Sequence, residues 1–300
     1  MLSRNDIEQE LGKEISIYPL DFKNFKENSI NLCASHHAWA LQDHTVFYDP
    51  HTDCFSVSKA GQRFLSIPLS KGNSAVYTTR TGKQYILLLP NATTLIETEE
   101  VLSVGSGIGG TYHSKVGLVS QGIGHIGTML GPNFSGNSLV ALHNHSADVI
   151  ALPVGKSFVS VVFHYLDTPM TEKNPTVSGH LDKMAELGIN LTEEDREELG
   201  ADWRTKFESV RDKMMGTREY RLFIEKKKRE KTQSIKKYLN KRNLLIALAL
   251  IILNGFLIAA AFLLNSLFST DFWTTICWNI IGAGVFATII SRMINMFKAS

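Results

Sequence analysis

Residues 109–163 read GGTYHSKVGLVSQGIGHIGTMLGPNFSGNSLVALHNHSADVIALPVGKSFVSVVF. Two runs stand out, NSLVALHNH (137–145) and KSFVSVVF (156–163), each short and rich in β-branched or apolar side chains. Asp148, Pro153 and Gly155 punctuate the chain between them, and Gly131-Pro132-Asn133 precedes the first. Branched side chains suit a pleated surface, and the punctuating residues set turns. The same alternation recurs upstream in EISIYPL (14–20), NSINLC (28–33), HTVFYD (44–49), GQRFLSIPL (61–69), SAVYTTR (74–80), QYILLLP (84–90) and TTLIET (93–98). Many short strands without alternating long helices predict a mainly β domain, an antiparallel barrel or jelly roll. Before it, SRNDIEQELG (3–12) predicts a short helix that Ser3 or Asn5 caps and Gly12 ends. The glycine-rich SVGSGIGGTYH (103–113) lacks the spacing of a phosphate loop and predicts a loop with positive φ angles.

From about residue 178 the pattern becomes helical. Thr192 followed by Glu193, Glu194 and Asp195 marks a capped helix start. Trp203, Phe207, Val210, Met214, Leu222 and Ile224 recur at helical spacing, which predicts a helical stalk over 171–242. Charge then divides the chain. The net charge is +2 overall, +7 over 225–242 and +1 over 243–300, leaving −6 on residues 1–224.

Leu244 to Leu264 is 21 residues without a charge, and Phe272 to Ile290 is a second uncharged run. At about 1.5 Å per residue the first covers about 30 Å, the thickness of a bilayer's hydrocarbon core. The seven-residue connector NSLFSTD predicts an antiparallel two-helix hairpin over 243–300. Cations flank the hairpin at both ends and are missing from the connector, so both termini are expected in the cytoplasm, in an inner-membrane protein with two spans. Asn254 and Asn279 would lie at membrane depth, and the glycines and alanines of both runs allow close helix packing. A simple soluble enzyme is excluded. The polar N-terminus has no secretory signal, and three cysteines without a CxxC pair give no disulfide framework. The basic collar is explained by topology and anionic lipid, and without interleaved aromatics nucleic acid is not expected as a partner.

Three stretches together are similar to the dCTP deaminase branch of the trimeric dUTPase-like superfamily. They are ELGKEISIYPLDFKNFKENSINLCAS (10–35), TLIETEEVLSV (94–104) and the 109–163 segment, and the resemblance covers roughly residues 3–168. It implies a dUTPase-like distorted barrel over residues 1–170, and a homo-oligomer, with a trimer favoured. The resemblance places the family's general-base glutamate at Ala141 and the acidic residue of its "IDPG" motif at Gly131. Neither can titrate, and general acid–base help is worth roughly 10²–10⁴-fold in rate. The arginine preceding the family's "LGL" falls at Lys115, and its serines at Thr111 and Tyr112. The resemblance thus implies a domain without the catalytic pair, which keeps Thr111, Tyr112, Lys115 and Asn144 as candidate ligand contacts and backbone N–H groups near Gly107–Gly110 as an anion nest.

The functional expectation is a membrane-anchored, catalytically inactive relative. It senses a nucleotide, a cyclic nucleotide or a partner on the cytosolic side and acts through its hairpin, as an antiviral membrane effector would. One alternative is a tethered deaminase or dUTP pyrophosphatase whose carboxylate comes from Glu97, Glu99 or Glu100; another is a scaffold for a partner protein. No cofactor is expected. His143 and His145, two apart on one strand, are the candidates for a metal, with His113, His125 and Asp148 nearby, while His36-His37 reads as ordinary loop or strand residues.

Overall fold

The computed structural model describes residues 1–58, 64–125, 127–170 and 180–238, with Ile252, Gly255, Phe256, Ala259 and Leu263. The chain forms two compact units, Met1–Ile224 and Glu225–Ser300.

The first unit is mainly β, as expected. It opens with α1 (Arg4–Glu10), where Ser3 and Asp6 form a reciprocal capping box. The strands follow: β1 (Ile15–Tyr18), β2 (Ile30–Ala40), β3 (His44–Asp49), β4 (Cys54–Ser56), β5 (Leu65–Leu69), β6 (Val76–Thr78) and β7 (Gln84–Leu88). Then come β8 (Ala92–Val104), β9 (Ile108–Ser114), the short α2 (Val116–Val119), β10 (Ile123–His125), β11 (Met129–Leu130), β12 (Ser135–Asn144), β13 (Ile150–Pro153) and β14 (Ser157–Tyr165).

The main sheet has the order β10-β12-β8-β2-β14-β9-β11, with β1 joined to β8. Two three-stranded sheets, β13-β7-β6 and β4-β3-β5, complete the unit, and the strand pairs are antiparallel. Ile15, Ile30, Leu32, Ile86, Leu87, Ile96, Leu102, Phe158 and Phe163 fill one continuous core. Their burial offsets the ordering entropy of a domain built from long-range pairings.

The glycine-rich segment differs from the expected positive-φ loop. None of Gly105, Gly107, Gly109 and Gly110 has a positive φ, and Ile108–Ser114 is strand β9. Glycine is needed there for close approach. A Cβ on Gly105 would come within 2.2 Å of Glu14 Oε2, and one on Gly110 within 2.7 Å of the Val162 carbonyl oxygen. The expected anion nest does not form. The Gly107 N–H donates to Glu14 Oε2 at 3.1 Å, while Gly109 and Gly110 pair with His164 and Phe163 in the β9–β14 ladder.

The helices after the barrel also differ from a stalk beginning at 171. α3 (Leu181–Glu186), α4 (Glu193–Leu199), a 3-10 turn (Asp202–Thr205) and α5 (Phe207–Gly216) belong to the first unit. Met184, Ile189 and Leu199 form a satellite core with Trp39 and Leu95, and Leu139 and Ala141 pack on its edge. The helical spacing of Val210 and Met214 serves burial of α5 against the barrel rather than an extended rod: both side chains are fully buried, and the Ile17 N–H lies 3.4 Å from Met214 Sδ. Met214→Ala is expected to destabilise this unit by about 2–4 kcal/mol, because it removes transfer energy and leaves a cavity. Denaturant titration followed by tryptophan fluorescence measures that loss, and a change below about 0.5 kcal/mol contradicts the packing.

α6 (Arg218–Tyr238) begins in the first unit. In the second unit its exposed surface carries the i,i+4 pairs Glu225–Arg229 and Lys226–Glu230, each 3.8 Å apart. Among the described residues no helix is long and apolar enough to cross a membrane. The run 272–290 lies outside the described residues, and so does 244–264 apart from the five helical positions named above.

Candidate functional site

Three ladder irregularities fall together in the main sheet. Between β2 and β8 the pairing steps from Ala38–Ile96 to Ala34–Thr98, so Ser35, His36 and His37 stand opposite Glu97 alone. Between β8 and β12 it steps from Leu139–Glu97 to Asn137–Val101, which leaves Thr98, Glu99 and Glu100 facing Ser138. A third irregularity separates Ser157 from Val159 on β14. Such bulges forfeit ladder hydrogen bonds and re-aim side chains, and they recur beside functional sites. Adjacent strand residues ordinarily point to opposite faces. Here the His36 and His37 rings lie on the same side, with centroids 4.0 Å apart.

A cleft of about 340 Å³ opens at this point, lined by residues that include His36, His37, Glu97, Asn137, Glu198 and Arg204. Glu97 is only 1% exposed. Its Oε2 lies 3.3 Å from His37 Nδ1 and 3.9 Å from Arg204 Nη1, yet neither carboxylate oxygen accepts an aligned hydrogen bond. A buried charge is costly unless it is paired or meets donors from elsewhere.

The helical layer supplies the other wall. α4 is capped by Thr192, whose Oγ1 accepts from the Asp195 N–H at 3.1 Å, while the Thr192 N–H donates to Asp195 Oδ2 at 2.9 Å. The cap leaves Asp195 Oδ1 3.4 Å from His37 Nε2, and Glu198, one turn on, places Oε2 3.7 Å from the same nitrogen. Burial pulls the His37 imidazole down, but Glu97, Glu198 and Asp195 together outweigh it, and the net direction is up.

Arg204 closes the back of the cleft from the 3-10 turn. Ser135 Oγ donates to its carbonyl at 2.9 Å, which ties the turn to β12. Arg204 Nη1 donates to Asn137 Oδ1 at 2.9 Å and Nη2 to Glu198 Oε1 at 3.0 Å, whereas its buried Nε has no partner. Its guanidinium lies 5.6 Å from the centre of the Trp203 ring, within cation–π range.

A second buried acid sits on the same strand. Burial pushes the Glu100 carboxyl up to about 7, although the Cys33 N–H donates to its Oε2 at 2.7 Å. Asn24 Nδ2 reaches its other oxygen at 3.4 Å. Burial, with Glu100 beside it, pushes the Cys33 thiol to about 12.

The candidate contacts from the sequence do not meet in this cleft. Thr111 Oγ1 pairs with His113 Nε2 at 2.9 Å on β9. Tyr112 is buried, its hydroxyl bonded to Ser138 Oγ, and burial pushes it to about 12. Lys115 Nζ donates to Ser157 Oγ at 3.2 Å, and burial, with Lys26 adding to it, lowers its ammonium. The Asn144 amide is committed to a turn: its Nδ2 donates to the Leu88 and Asp148 carbonyls, and its Oδ1 accepts from Ser146. Ala141 lies under the satellite core of the helical layer, and Gly131 has open space where a Cβ would stand. The His143 and His145 rings are 4.4 Å apart, but His143 Nδ1 is bonded to Thr93 Oγ1. Among the described residues the one group of three side chains able to converge on a metal is His36, His37 and Glu198.

His36 and His37 do lie on a strand, β2, but the two-residue irregularity there turns both rings to one side, towards the cleft. The signal in the sequence is a histidine doublet inside the strand INLCASHHAWA, which has only Asn31 and Ser35 as other polar side chains. Its partners, Glu97, Glu198 and Arg204, lie 60 or more positions away.

The dCTP deaminase-like family model matches residues 1–166, more than half of the chain, and the chain belongs to this family. Among solved structures it is similar to the 2'-deoxycytidine 5'-triphosphate deaminase of Agrobacterium tumefaciens, with 12% identity over 54% of this chain and 47% of that one and a TM-score of 0.36. The chain thus spans about half the length of that enzyme. It is also similar to the dUTPase of phage phi11 of S. aureus, at 15% identity over 31% of this chain and 78% of that one, with a TM-score of 0.26. For the EIAV dUTPase the values are 16% identity, 33% and 89% coverage and a TM-score of 0.26. No curated protein matches the chain.

Proposed function

We propose that this dCTP deaminase-like chain is a membrane-tethered sensor that binds a nucleotide-type ligand in the Glu97 cleft and acts through a C-terminal two-helix hairpin, without the family's deamination chemistry. The observation that carries the reading is Glu97: a carboxylate 1% exposed, lining a cleft, whose Oε2 has His37 at 3.3 Å and Arg204 at 3.9 Å but whose oxygens accept no aligned hydrogen bond. Such a group gains most from a ligand that brings two adjacent N–H donors, as the amino and imino edge of a base does. The acidic side chains of Glu99, Asp195 and Glu198 repel an unshielded triphosphate, so the base faces Glu97 and the phosphates face solvent. Ala141 and Gly131, at the positions the resemblance gives to the family's carboxylates, supply no general base.

The hairpin is supported by the two uncharged runs and by the basic collar before them. Ile252, Phe256 and Leu263, at helical spacing, expose large apolar side chains. Lipid is the solvent that suits such a face. Assembly as a trimer, which the family resemblance favours, brings six membrane helices together, and ligand-driven reassembly then perturbs the bilayer from the cytosolic side.

The test uses the full chain in lipid nanodiscs. A nucleotide that binds the native fold must raise its melting temperature, by an amount set by concentration over Kd. Glu97→Gln is expected to abolish the rise, and cells expressing the wild-type chain are expected to depolarise when that nucleotide accumulates. If no nucleotide shifts the transition and the chain is extracted by alkaline carbonate, both halves of the reading fail.

A second reading is favoured by the 3.3 Å approach of Glu97 to His37 Nδ1, a carboxylate–imidazole pair suited to activating water. In that case the chain is a tethered deaminase or pyrophosphatase. Ammonia released from dCTP, or pyrophosphate from dUTP, in amounts that Glu97→Gln removes, would establish it over the sensor.

A further inference from the structure

We infer that the mouth of the cleft is a binding site for a divalent transition metal of the zinc class, held by His36 Nε2, His37 Nε2 and Glu198 Oε2. The inference goes beyond the sensor reading and does not depend on it. The three ligand atoms lie within 4.8 Å of one another. Glu198 Oε2 is 3.5 Å from His36 Nε2 and 3.7 Å from His37 Nε2. A tetrahedral metal with bonds of about 2.0–2.1 Å to such atoms sets ligand–ligand edges of about 3.3 Å. The two edges to Glu198 therefore need to contract by only a few tenths of an ångström, and the edge between the two imidazoles is at most 4.8 Å. Glu198 and His36 are the exposed members, with 42% and 53% of their side chains accessible, so they can supply the adjustment and the route of entry.

The second observation lies behind the ligands. Glu97, almost wholly buried and without an aligned donor, stands 3.3 Å from His37 Nδ1, the ring nitrogen turned away from Glu198. A metal-bound histidine characteristically gives its other N–H to a carboxylate, which holds the tautomer and orients the ring. Glu97 has the position and the vacant acceptors for that role. Arg204, 3.0 Å from Glu198 Oε1, holds the far oxygen of the third ligand and leaves Oε2 free for the metal.

The ladder irregularity has a purpose on this reading. A regular strand sends consecutive histidines to opposite faces, whereas Ser35–His37 bulges so that both rings meet one carboxylate. Two nitrogens and one oxygen suit zinc and its neighbours over calcium or magnesium, which prefer oxygen cages. Three protein ligands leave one coordination position open, beside Asp195, for water or a ligand atom.

Calorimetric titration of the full-length protein in detergent with zinc, after treatment with a chelator, tests the site. One zinc per chain is expected. His36→Ala and Glu198→Gln, both at exposed positions, should each weaken binding by more than about 100-fold, and Glu97→Gln by about 10–100-fold, the range for a lost outer carboxylate. His145→Ala, in the other histidine pair, should leave binding unchanged. Cobalt in place of zinc should show the intense visible absorption of a four-coordinate ion, which Glu198→Gln removes. The inference is overturned by the lack of a saturable site, by binding that survives both His36→Ala and Glu198→Gln, or by loss of binding in His145→Ala alone.

Discussion

Arg204→Met is expected to destabilise the first unit by about 3–5 kcal/mol, the usual consequence of leaving a buried charge without its counter-charge. Arg204 is the fixed cation facing Glu97, and it also bonds Asn137 and Glu198. With a folded unit of 224 residues, each kcal/mol moves the midpoint by about 2–4 °C, so the transition should fall by about 6–20 °C. The partner variant makes the prediction specific. Glu97→Leu removes the stranded carboxylate, and the double variant should recover most of the stability, since a buried pair exchanged for apolar side chains of similar volume is often neutral. A double-mutant cycle with a coupling energy near zero would show that Arg204 and Glu97 do not act on each other.

Glu100 carries the second large effect, and it depends on pH. Burial raises its carboxyl from the ordinary 4.5 to about 7 in the folded chain. The folded state therefore holds a proton that the unfolded state has already lost. Stability is undiminished below pH 4.5, falls as pH rises through the interval up to 7, and stays lower above it. A shift of this size corresponds to about 3 kcal/mol. Glu100→Gln cannot titrate but keeps an acceptor for the Cys33 N–H. Its denaturation midpoint should fall less between pH 5 and 8 than the wild-type midpoint does, the remaining slope coming from groups such as His37 whose folded-state pKa is also raised. Parallel profiles for the two proteins would show that Glu100 is solvated in the folded state.

Glu97 and Glu100 lie three residues apart on one strand, yet they hold different roles. The stretch TLIETEEVLSV shows three carboxylates and nothing to rank them. Glu97 faces the histidine doublet because the ladder slips on both of its sides, and Glu100 faces Cys33 and Asn24 for the same reason. A slip of register is a property of paired strands, and no local pattern announces it. The family resemblance likewise directs attention to Thr111, Tyr112, Lys115 and Asn144. In this chain two of these side chains are committed elsewhere: Tyr112 to Ser138 in the core, and Asn144 to its own turn.

What the residues determined unaided is local or periodic. Alternating short strands define a mainly β domain, Ser3 and Thr192 cap their helices through side chains three residues ahead, and charge separates an acidic body from a basic collar. Only the tertiary structure decided that α3, α4 and α5 fold back on the barrel and that His36, His37, Glu97, Glu198 and Arg204 converge. Capping and alternation act over three or four neighbours, and any stretch displays them. The convergence joins segments some 60 to 170 positions apart, and which faces meet is settled by the burial of Met184, Leu199, Val210 and Met214 against strands that could have been covered in other ways.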